Sequence, residues 1–205
     1  MVALGFTVAM ILPASFSLFR VGYRTFDDVR NHWNSLLWGT TSCALGFFLA
    51  SFQVHEKNIL LALAPCTLLL WEDPSFVDWF SLGCVWSLWP LLQVDRLHVA
   101  YVSSVTIFLC LIWVRLIGKG KTKNSETAFS GVLQVVPPLS YLGMVGLHLS
   151  QIFLEVPPKL PDLFEVLWSV AGCGMFFVAW FVTCVKLLHA RTVDAAIGTT
   201  KVKAE

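Results

Sequence analysis

Charged residues are scarce in this sequence. Asp, Glu, Lys and Arg make up only 13% of its 205 residues, whereas 57% are hydrophobic, and the mean hydropathy is +0.72. This composition excludes an ordinary soluble globular domain, in which about a quarter of the residues are charged. The net charge is only +1, so nothing in it indicates a nucleic-acid partner. The sequence therefore predicts a polytopic membrane protein.

Metal-ligand motifs are also missing. The cysteines occur singly within apolar runs, with no CxxC motif and no His/Cys cluster at metal-ligand spacing; they are Cys43, Cys66, Cys84, Cys110, Cys173 and Cys184. Cysteines placed in this way are typical of buried free thiols, not of disulfides or a metal centre. We therefore expect no metal site and no cofactor.

What the sequence does contain is a series of long apolar runs. A bilayer core about 30 Å thick takes roughly 20 helical residues, and an open backbone in lipid can satisfy its polar groups only as a helix. One run contains Pro65 and has 13 residues, so we expect a short, distorted or re-entrant helix there. The sequence predicts an all-α membrane protein with about seven transmembrane helices, at 2–19, 36–52, 59–71, 76–92, 97–117, 129–154 and 163–188. These helices are expected to form one domain over residues 1–188.

The N-terminal run is expected to stay in the protein. It has no basic residues before it and no small-residue cleavage site, and Arg20 and Arg24 follow the run. A secretory signal peptide has the opposite arrangement, with its positive charge before the apolar stretch. We interpret residues 2–19 as a retained span.

Loop charge decides whether the short third run crosses. With seven crossings, eleven of the 14 lysines and arginines fall on one side of the membrane and three on the other. Without the third crossing, the division falls to nine against five. Because cytosolic loops carry the excess of Lys and Arg, the sequence favours seven spans with a cytosolic C-terminus. The loops 53–58, 93–98 and 155–162 then share the non-cytosolic face.

Residues 189–205 are predicted to form a disordered cytosolic tail. The tail ends KVKAE, with Lys201 and Lys203 five and three places from the C-terminus. This spacing matches the dilysine signal that returns membrane proteins to the endoplasmic reticulum, and the predicted topology puts it on the side where that signal is read. Two lysines in a solvated tail are the competing interpretation, and both stay open.

One loop places an imidazole, a carboxylate and an ammonium group side by side. His55, Glu56 and Lys57 stand between two apolar runs, of which the first ends with Gln53 and the second is short. We expect these groups slightly below the membrane surface, where ionisable side chains indicate function. An imidazole and an ammonium there suit an anionic phosphate, with the carboxylate fixing their geometry. A polar hairpin whose charges reach into water explains the same residues without a function.

Arg96 is a second candidate for a substrate contact. It lies with Asp95 and His98 on the predicted non-cytosolic face. An ordinary solvated turn with a surface ion pair is the competing explanation for these three residues.

Other polar residues receive structural interpretations. Glu72, Asp73 and Asp78 fall on the predicted cytosolic face, where they solvate helix ends, and Asp73 stands immediately before Pro74 as an expected N-cap. His148 has no partner at metal-ligand spacing. The nine tryptophans are expected mostly to anchor the membrane interface.

Blocks of sequence in a fixed order carry a resemblance to a known family. SFQVHEKNILL (51–61) with LAPCTLLL (63–70), then SLWPLLQVD (87–95), then EVPPKLPDLFEVL (155–167) resemble the C-terminal half of the dolichyl-phosphate-glucose-dependent alpha-1,3-glucosyltransferases of the endoplasmic reticulum. The form SFQVHEK with the later PPKLPDL is more similar to the branch that adds the first glucose than to the branch that adds the second.

The resemblance implies a fold, a reaction and a location. The fold would be the C-terminal part of a multi-span GT-C type glycosyltransferase in the endoplasmic reticulum membrane. The reaction would be an inverting, metal-free transfer of glucose from dolichyl-phosphate-glucose to dolichyl-pyrophosphate-linked Man9GlcNAc2, in alpha-1,3 linkage, for protein N-glycosylation. Residues 55–57 resemble a luminal active-site loop of this family.

The resemblance also implies a missing group. In the family, the carboxylate expected to act as general base lies in a luminal loop of the N-terminal half, which nothing in this chain matches. An inverting transfer needs such a base to deprotonate the acceptor hydroxyl. None of Glu56, Asp95, Glu155 and Asp162 aligns with it. We therefore expect a C-terminal portion that lacks its catalytic base and is inactive in isolation.

Two functional hypotheses follow from the sequence. In the first, the chain is part of a glucosyltransferase and contacts its lipid-linked substrates through Gln53, His55, Glu56, Lys57 and Arg96. In the second, it is a non-enzymatic polytopic membrane protein, a transporter or a helical scaffold, in which the same loop caps a hairpin.

Overall fold

The computed structural model of the chain describes residues 2–22, 29–51, 58–118, 130–157 and 159–202. This part of the chain contains eight α-helices and one 3-10 helix and no β-strand, which confirms the predicted all-α fold class. The helices are α1 (Val2–Gly22), α2 (Val29–Ala50), α3 (Ile59–Thr67) with a 3-10 helix (Leu68–Trp71), α4 (Pro74–Ser87), α5 (Trp89–Val94), α6 (His98–Gly118), α7 (Ser130–Phe153) and α8 (Leu163–Val202).

The predicted apolar runs correspond to these helices, except that one run forms two helices instead of one. The run 76–92 is split at Leu88 into α4 and the short α5. Pro90 lies in the first turn of α5, and because proline has no N–H and crowds the preceding turn, it favours a helix start over a helix interior. The run with Pro65 is helical throughout but tightens into the 3-10 helix at Leu68.

Two helices of the described part are both long and apolar enough to cross a membrane. They are His98–Ile117 within α6 and Leu163–Leu188 within α8. Ala3–Phe19 and Ile59–Trp71 are apolar but shorter. At 1.5 Å per residue, a helix of 14 residues such as α4 extends about 21 Å, which is less than a bilayer core of about 30 Å. The number of seven spans therefore stays a prediction.

The chain divides into two compact units, whereas the sequence indicated one domain over residues 1–188. One unit comprises residues 1–81 and 176–205, and the other comprises residues 82–175. The boundaries fall within α4 and α8, so both helices contribute to both units. A boundary inside apolar helices leaves no polar linker for sequence analysis to detect.

Close helix contacts build the first unit. The hydroxyl Oγ1 of Thr7 in α1 donates a buried hydrogen bond of 2.8 Å to the carbonyl oxygen of Ala50 in α2. The same two helices meet at Gly46, where a Cβ would come within 3.1 Å of the Met10 carbonyl oxygen. Small residues and buried hydroxyls of this kind join helices where lipid surrounds them. The core beside them is aromatic and contains Trp38, Phe76, Trp79, Phe80 and Phe176.

Asp73 organises the polar end of this unit. Its Oδ1 accepts a hydrogen bond of 3.1 Å from the backbone N–H of Phe76, which confirms the expected N-cap of α4. Its Oδ2 lies 2.8 Å from Nζ of Lys186 in α8, and that ammonium is 5.8 Å from the ring centre of Trp38. Sequence analysis could not detect this ion pair, because its partners are 113 residues apart.

Stacked indoles form the core of the second unit. The rings of Trp86 and Trp168 have centroids 4.9 Å apart, and Nε1 of Trp168 donates a hydrogen bond of 3.1 Å to the Trp86 carbonyl oxygen. The expected interfacial role is wrong for the tryptophans that are at most 4% exposed, namely Trp38, Trp79, Trp86 and Trp168. It fits Trp71, which is 97% exposed at the end of the 3-10 helix.

The end of α8 differs from the expected disordered tail. The helix continues without interruption from Leu163 to Val202, well past the predicted boundary at residue 188. The segment HARTVDAA, residues 189–196, contains three alanines and an arginine, which are strong helix formers, and no proline. A polar segment joined to a long existing helix adds turns without a new nucleation cost, so it need not be buried to be helical. Its predicted cytosolic location stays a prediction.

Candidate functional site

Most of the sequence-predicted site lies outside the described residues. Gln53, His55, Glu56 and Lys57 all fall in the segment 52–57, so their role stays a prediction. The structure describes the residue on each side of that segment. The N–H of Ser51 donates a 2.9 Å hydrogen bond to the Phe47 carbonyl oxygen at the end of α2. Asn58 precedes α3 and its side chain makes no capping hydrogen bond.

Arg96 is described, and its backbone is unusual. Its φ is +57°, the only positive φ among the non-glycine residues that the structure describes. The N–H of Arg96 donates to the Gln93 carbonyl oxygen at 3.1 Å, and the N–H of Leu97 donates to the Leu92 carbonyl oxygen at 2.8 Å. These two bonds after the helix C-cap Asp95 form a Schellman motif. Arginine occupies the left-handed position that glycine usually takes in that motif. We call residues 92–97 the Arg96 turn.

A line of neutral side chains connects this turn to α7. Nε1 of Trp89 donates a 2.9 Å hydrogen bond to Oε1 of Gln151, and Nε2 of Gln151 donates a 3.0 Å hydrogen bond to Oε1 of Gln93. All three side chains are half-buried. We call this pair of hydrogen bonds the glutamine bridge. It joins both ends of α5 to the C-terminal end of α7, which lies 58 or more residues further along the chain.

The direction of the glutamine bridge follows from its chemistry. An indole N–H can only donate, so the carbonyl oxygen of the Gln151 amide must face Trp89. The amide nitrogen of Gln151 must then face Gln93 and donate to its carbonyl oxygen. The amide nitrogen of Gln93 is left at the end of the bridge, and none of the residues that the structure describes accepts from it.

An aromatic and imidazole cluster surrounds Trp89. The Trp89 ring has centroid distances of 4.7 Å to Tyr101 and 5.0 Å to His148, and His148 lies 4.8 Å from Trp168. Nε2 of His148 and the Tyr101 hydroxyl are 2.9 Å apart and share a hydrogen bond. His98 lies at the exposed edge of the cluster, 5.5 Å from Trp89. The cluster holds the start of α6, the end of α7 and the start of α8 together with α5.

The charged groups near this cluster are few and exposed. The Arg96 side chain is exposed, and within the described part of the chain no side chain pairs with it. The surface ion pair considered for Asp95, Arg96 and His98 is not formed among the described residues. The acids Asp95, Glu155 and Asp162 are also exposed, and none is hydrogen-bonded to the glutamine bridge or the aromatic cluster.

The residues around the Arg96 turn have the chemistry to bind an anionic ligand, but none is positioned by the described contacts as a general base. An exposed guanidinium, a free amide donor and aromatic edges suit an oxygen-rich anionic ligand such as a sugar phosphate. Asp95 stands next to Arg96, but no hydrogen bond to its side chain from a described residue positions it as a base. Among the described residues, no group of three His, Cys, Asp or Glu side chains could hold a metal ion.

Sequence reasoning missed Trp89, Gln93, Tyr101, His148 and Gln151. Metal-ligand spacing does not reveal the role of His148, because its partner Tyr101 is 47 residues away on another helix. One available signal was the position of Gln93 and Gln151, polar residues at the ends of apolar runs. Polar groups at membrane depth need partners, so such positions indicate either a helix–helix contact or a site.

The chain matches the family described as the ALG6, ALG8 glycosyltransferase family over residues 1–182. Its class is therefore that of the membrane-embedded glycosyltransferases, in agreement with its apolar helices. Within that class, the chain belongs to the ALG6, ALG8 family of the N-glycosylation pathway.

Several curated relatives are similar to the chain over most of its length. It is 37% identical over 160 residues to a dolichyl pyrophosphate Man9GlcNAc2 alpha-1,3-glucosyltransferase from Pongo abelii, which is 68% of this chain and 31% of that protein. The enzyme of the same name from Mus musculus is 32% identical over 195 residues, which is 86% of this chain and 37% of the mouse protein. The Saccharomyces cerevisiae enzyme is 32% identical over 165 residues. The chain thus spans about a third of the length of these relatives.

Proposed function

We propose that this chain is the part of a glucosyltransferase that binds the lipid-linked donor. The enzyme would transfer glucose from dolichyl-phosphate-glucose to dolichyl-pyrophosphate-linked Man9GlcNAc2 in alpha-1,3 linkage. The observation that carries this proposal is 32–37% identity to enzymes of that name across most of the chain. The site adds support, because its exposed cation and amide donor suit the phosphate of such a donor.

The chemistry of the transfer assigns a task to the basic residues. As the acceptor hydroxyl attacks the glucose carbon, the bond to the dolichyl phosphate breaks and negative charge accumulates on that phosphate. Cations placed at the leaving phosphate stabilise this charge more in the transition state than in the ground state. In this proposal His55 and Lys57 bind the phosphate, and Arg96 is a further contact to a lipid-linked substrate. Glu56 orients the first two, and Gln53 donates to a sugar or phosphate oxygen.

The acceptor hydroxyl also has to lose a proton, and this chain is not proposed to supply the base. The described acids on the predicted luminal face are exposed, and none is hydrogen-bonded to the glutamine bridge. Glu56 is assigned to the phosphate side of the reaction. The base therefore comes from a region of the enzyme that this chain does not match in its relatives, which extend over about three times its length.

The proposed location is the endoplasmic reticulum membrane. Membership of a family of the N-glycosylation pathway supports this location. The proposed topology has seven crossings in a GT-C type fold, with the loops 53–58, 93–98 and 155–162 in the lumen. The charge asymmetry of the loops supports this topology.

A fusion enzyme tests the proposed function. The chain replaces the matching region of the Saccharomyces cerevisiae relative, and microsomes containing the fusion receive dolichyl-phosphate-glucose and lipid-linked Man9GlcNAc2. We expect one glucose to be transferred in alpha-1,3 linkage. The chain alone should transfer none, because loss of acid–base catalysis removes a factor of roughly 10²–10⁴ before any lost contacts are counted.

Two controls give the result its meaning. The unaltered yeast enzyme must transfer glucose in the same microsomes, and folded fusion protein must be present in comparable amount. A folded but inactive fusion would contradict the proposal and favour the non-enzymatic alternative. Transfer by the chain alone would instead show that one of its own acids serves as the base.

A further inference from the structure

The Arg96 turn depends on contacts from outside its own helix. α5 has only six residues, and isolated helices shorter than about 12 residues are marginal in water. Its C-terminal turn also places Arg96 at a φ of +57°, which is unfavourable for any residue with a Cβ. A short helix that ends in such a conformation needs a fixed attachment to keep it.

The glutamine bridge provides that attachment at the right place. Gln93 is the residue whose backbone carbonyl oxygen accepts the N–H of Arg96, and its side chain accepts from Gln151. Gln151 is in turn held by the Trp89 indole at the start of the same short helix. Trp89 is packed against Tyr101 and His148, so the bridge rests on two longer helices, α6 and α7.

We propose that Gln151 and Trp89 are positioning residues that act through Gln93 to hold Arg96 toward the anionic phosphate of a lipid-linked sugar. This inference rests on the proposed function for the identity of the ligand. Its observations are the direction of the glutamine bridge, the left-handed arginine in a place that suits glycine, and the exposure of that arginine without a described partner.

The same geometry explains why neutral groups carry out this task. A carboxylate paired with the Arg96 guanidinium would hold it equally well but would compete with the phosphate for its charge. Amide and indole groups fix the backbone through Gln93 without pairing with the guanidinium, and the neighbouring Asp95 makes no ion pair with it. The cation then stays available to an anion that arrives from outside the described part of the chain.

Variants of the fusion enzyme separate positioning from simple packing. Gln151→Leu removes both bonds of the bridge at nearly constant volume, Arg96→Ala removes the cation, and a third variant combines the two. Ser150→Ala is the matched control, because the Ser150 hydroxyl donates only to the Gly146 carbonyl oxygen of its own helix. The measurements are KM for dolichyl-phosphate-glucose, kcat per folded enzyme, and hydrogen exchange of the Arg96 and Leu97 amides.

The expected results form a consistent set. Gln151→Leu should raise the donor KM about 2- to 10-fold, the range for loss of a neutral hydrogen bond, with less change in kcat. The donor KM of the double variant should be no higher than that of Arg96→Ala, because Gln151 is proposed to act only through Arg96. Exchange of the Arg96 and Leu97 amides should become faster in Gln151→Leu and stay unchanged in Ser150→Ala.

Three outcomes would overturn the proposal. The donor KM of Gln151→Leu could equal that of the parent enzyme. In the double variant, the increase in donor KM caused by Gln151→Leu could multiply with the increase caused by Arg96→Ala. Hydrogen exchange of the Arg96 amide could stay unchanged in Gln151→Leu. Gln151→Glu is a further check, since it still accepts from Trp89 and, after rotation of the Gln93 amide, from Gln93 as well. Exchange of the Arg96 and Leu97 amides should be less accelerated in Gln151→Glu than in Gln151→Leu, and a greater acceleration would count against the bridge.

Failure of the proposed function would look different. If the parent fusion transfers no glucose while the amide exchange still responds to Gln151→Leu, the bridge positions Arg96 but the ligand is not this donor. If the parent fusion transfers glucose, but neither the donor KM nor the amide exchange changes in Gln151→Leu, the proposed donor is still supported and the positioning role is wrong.

Discussion

Each of the two units of the chain contains a basic side chain that the structure describes, and the two differ in whether an acidic side chain pairs with it. In the first unit, Lys186 is paired with Asp73 at 2.8 Å and lies near the face of Trp38. In the second unit, Arg96 is exposed and pairs with no side chain of the described residues, while neutral groups hold its backbone. A paired charge is already neutralised and serves to join α8 to the start of α4. An unpaired charge on a fixed turn is available to a ligand, which is why we propose a substrate contact at Arg96 and a structural role for Lys186.

The largest difference between the two positions concerns the side of the membrane. Glu72, beside the ion pair, is predicted to face the cytosol, and Asp95, beside Arg96, is predicted to face the lumen. On a background without the six native cysteines, an impermeant thiol reagent should label Glu72→Cys but not Asp95→Cys in sealed microsomes. Detergent should allow labelling of both. Labelling of Asp95→Cys in sealed microsomes would refute the predicted topology.

The next largest effect is expected at the loop 53–58. If His55 and Lys57 bind the donor phosphate, His55→Ala or Lys57→Ala removes a charge-assisted hydrogen bond of about 1.5–3 kcal/mol, which corresponds to roughly a 10- to 150-fold loss of transfer. Transfer per folded fusion enzyme measures this loss. Glu72→Ala, an exposed charge on the opposite predicted face, is the control and should change transfer less than 2-fold, roughly the effect of a surface charge. Equal small effects at all three positions would support the simple hairpin interpretation.

A moderate effect on stability, without an effect on chemistry, is expected at the ion pair. Lys186→Ala leaves the Asp73 carboxylate without its partner. Since the two side chains are 30% and 21% exposed, we expect a cost of about 1–2 kcal/mol, below that of a fully buried pair. The mid-point of thermal unfolding in detergent should fall, while transfer per folded molecule stays the same.

Asp73→Asn distinguishes the two roles of the aspartate. The asparagine can still accept from the Phe76 N–H and so keeps the cap of α4, but it loses the ion pair. Its destabilisation should therefore be no greater than that of Lys186→Ala. A fall in transfer per folded molecule in either variant would show that the ion pair is more than a helix contact.

The smallest effect on stability is expected for Arg96→Gly, and here the sign of the change in the free energy of unfolding is informative. Glycine relieves the strained φ of +57° but gains conformational freedom in the unfolded chain, so the net change should lie between zero and about 1 kcal/mol of stabilisation. Transfer should nevertheless fall, because the cation is gone. Arg96→Ala keeps the strain and loses the cation, so it should be the less stable of the two. A destabilised Arg96→Gly variant would mean that the arginine side chain contributes to packing.

Sequence reasoning was most successful for features with a local physical cause. The helices follow the apolar runs, because in lipid the backbone polar groups of a single segment can be hydrogen-bonded only within a helix. The neighbouring residues Asp73 and Pro74 were enough to predict the N-cap of α4. It was less successful where contacts join distant residues. The Asp73–Lys186 pair spans 113 residues, and the Tyr101–His148 contact spans 47. No periodicity or spacing rule connects positions so far apart.

By itself, the sequence determined the helical class, the membrane character, the family and the candidate loop around His55, because composition, apolar length and short motifs are local properties. Tertiary structure alone decided which tryptophans are core, and that Gln93, Gln151 and Trp89 form one bridge. It also decided that Arg96 takes the left-handed position of a Schellman motif. These features depend on which helix ends meet in space. Uniformly apolar surfaces leave that choice to the packing of small residues and the pairing of a few polar groups.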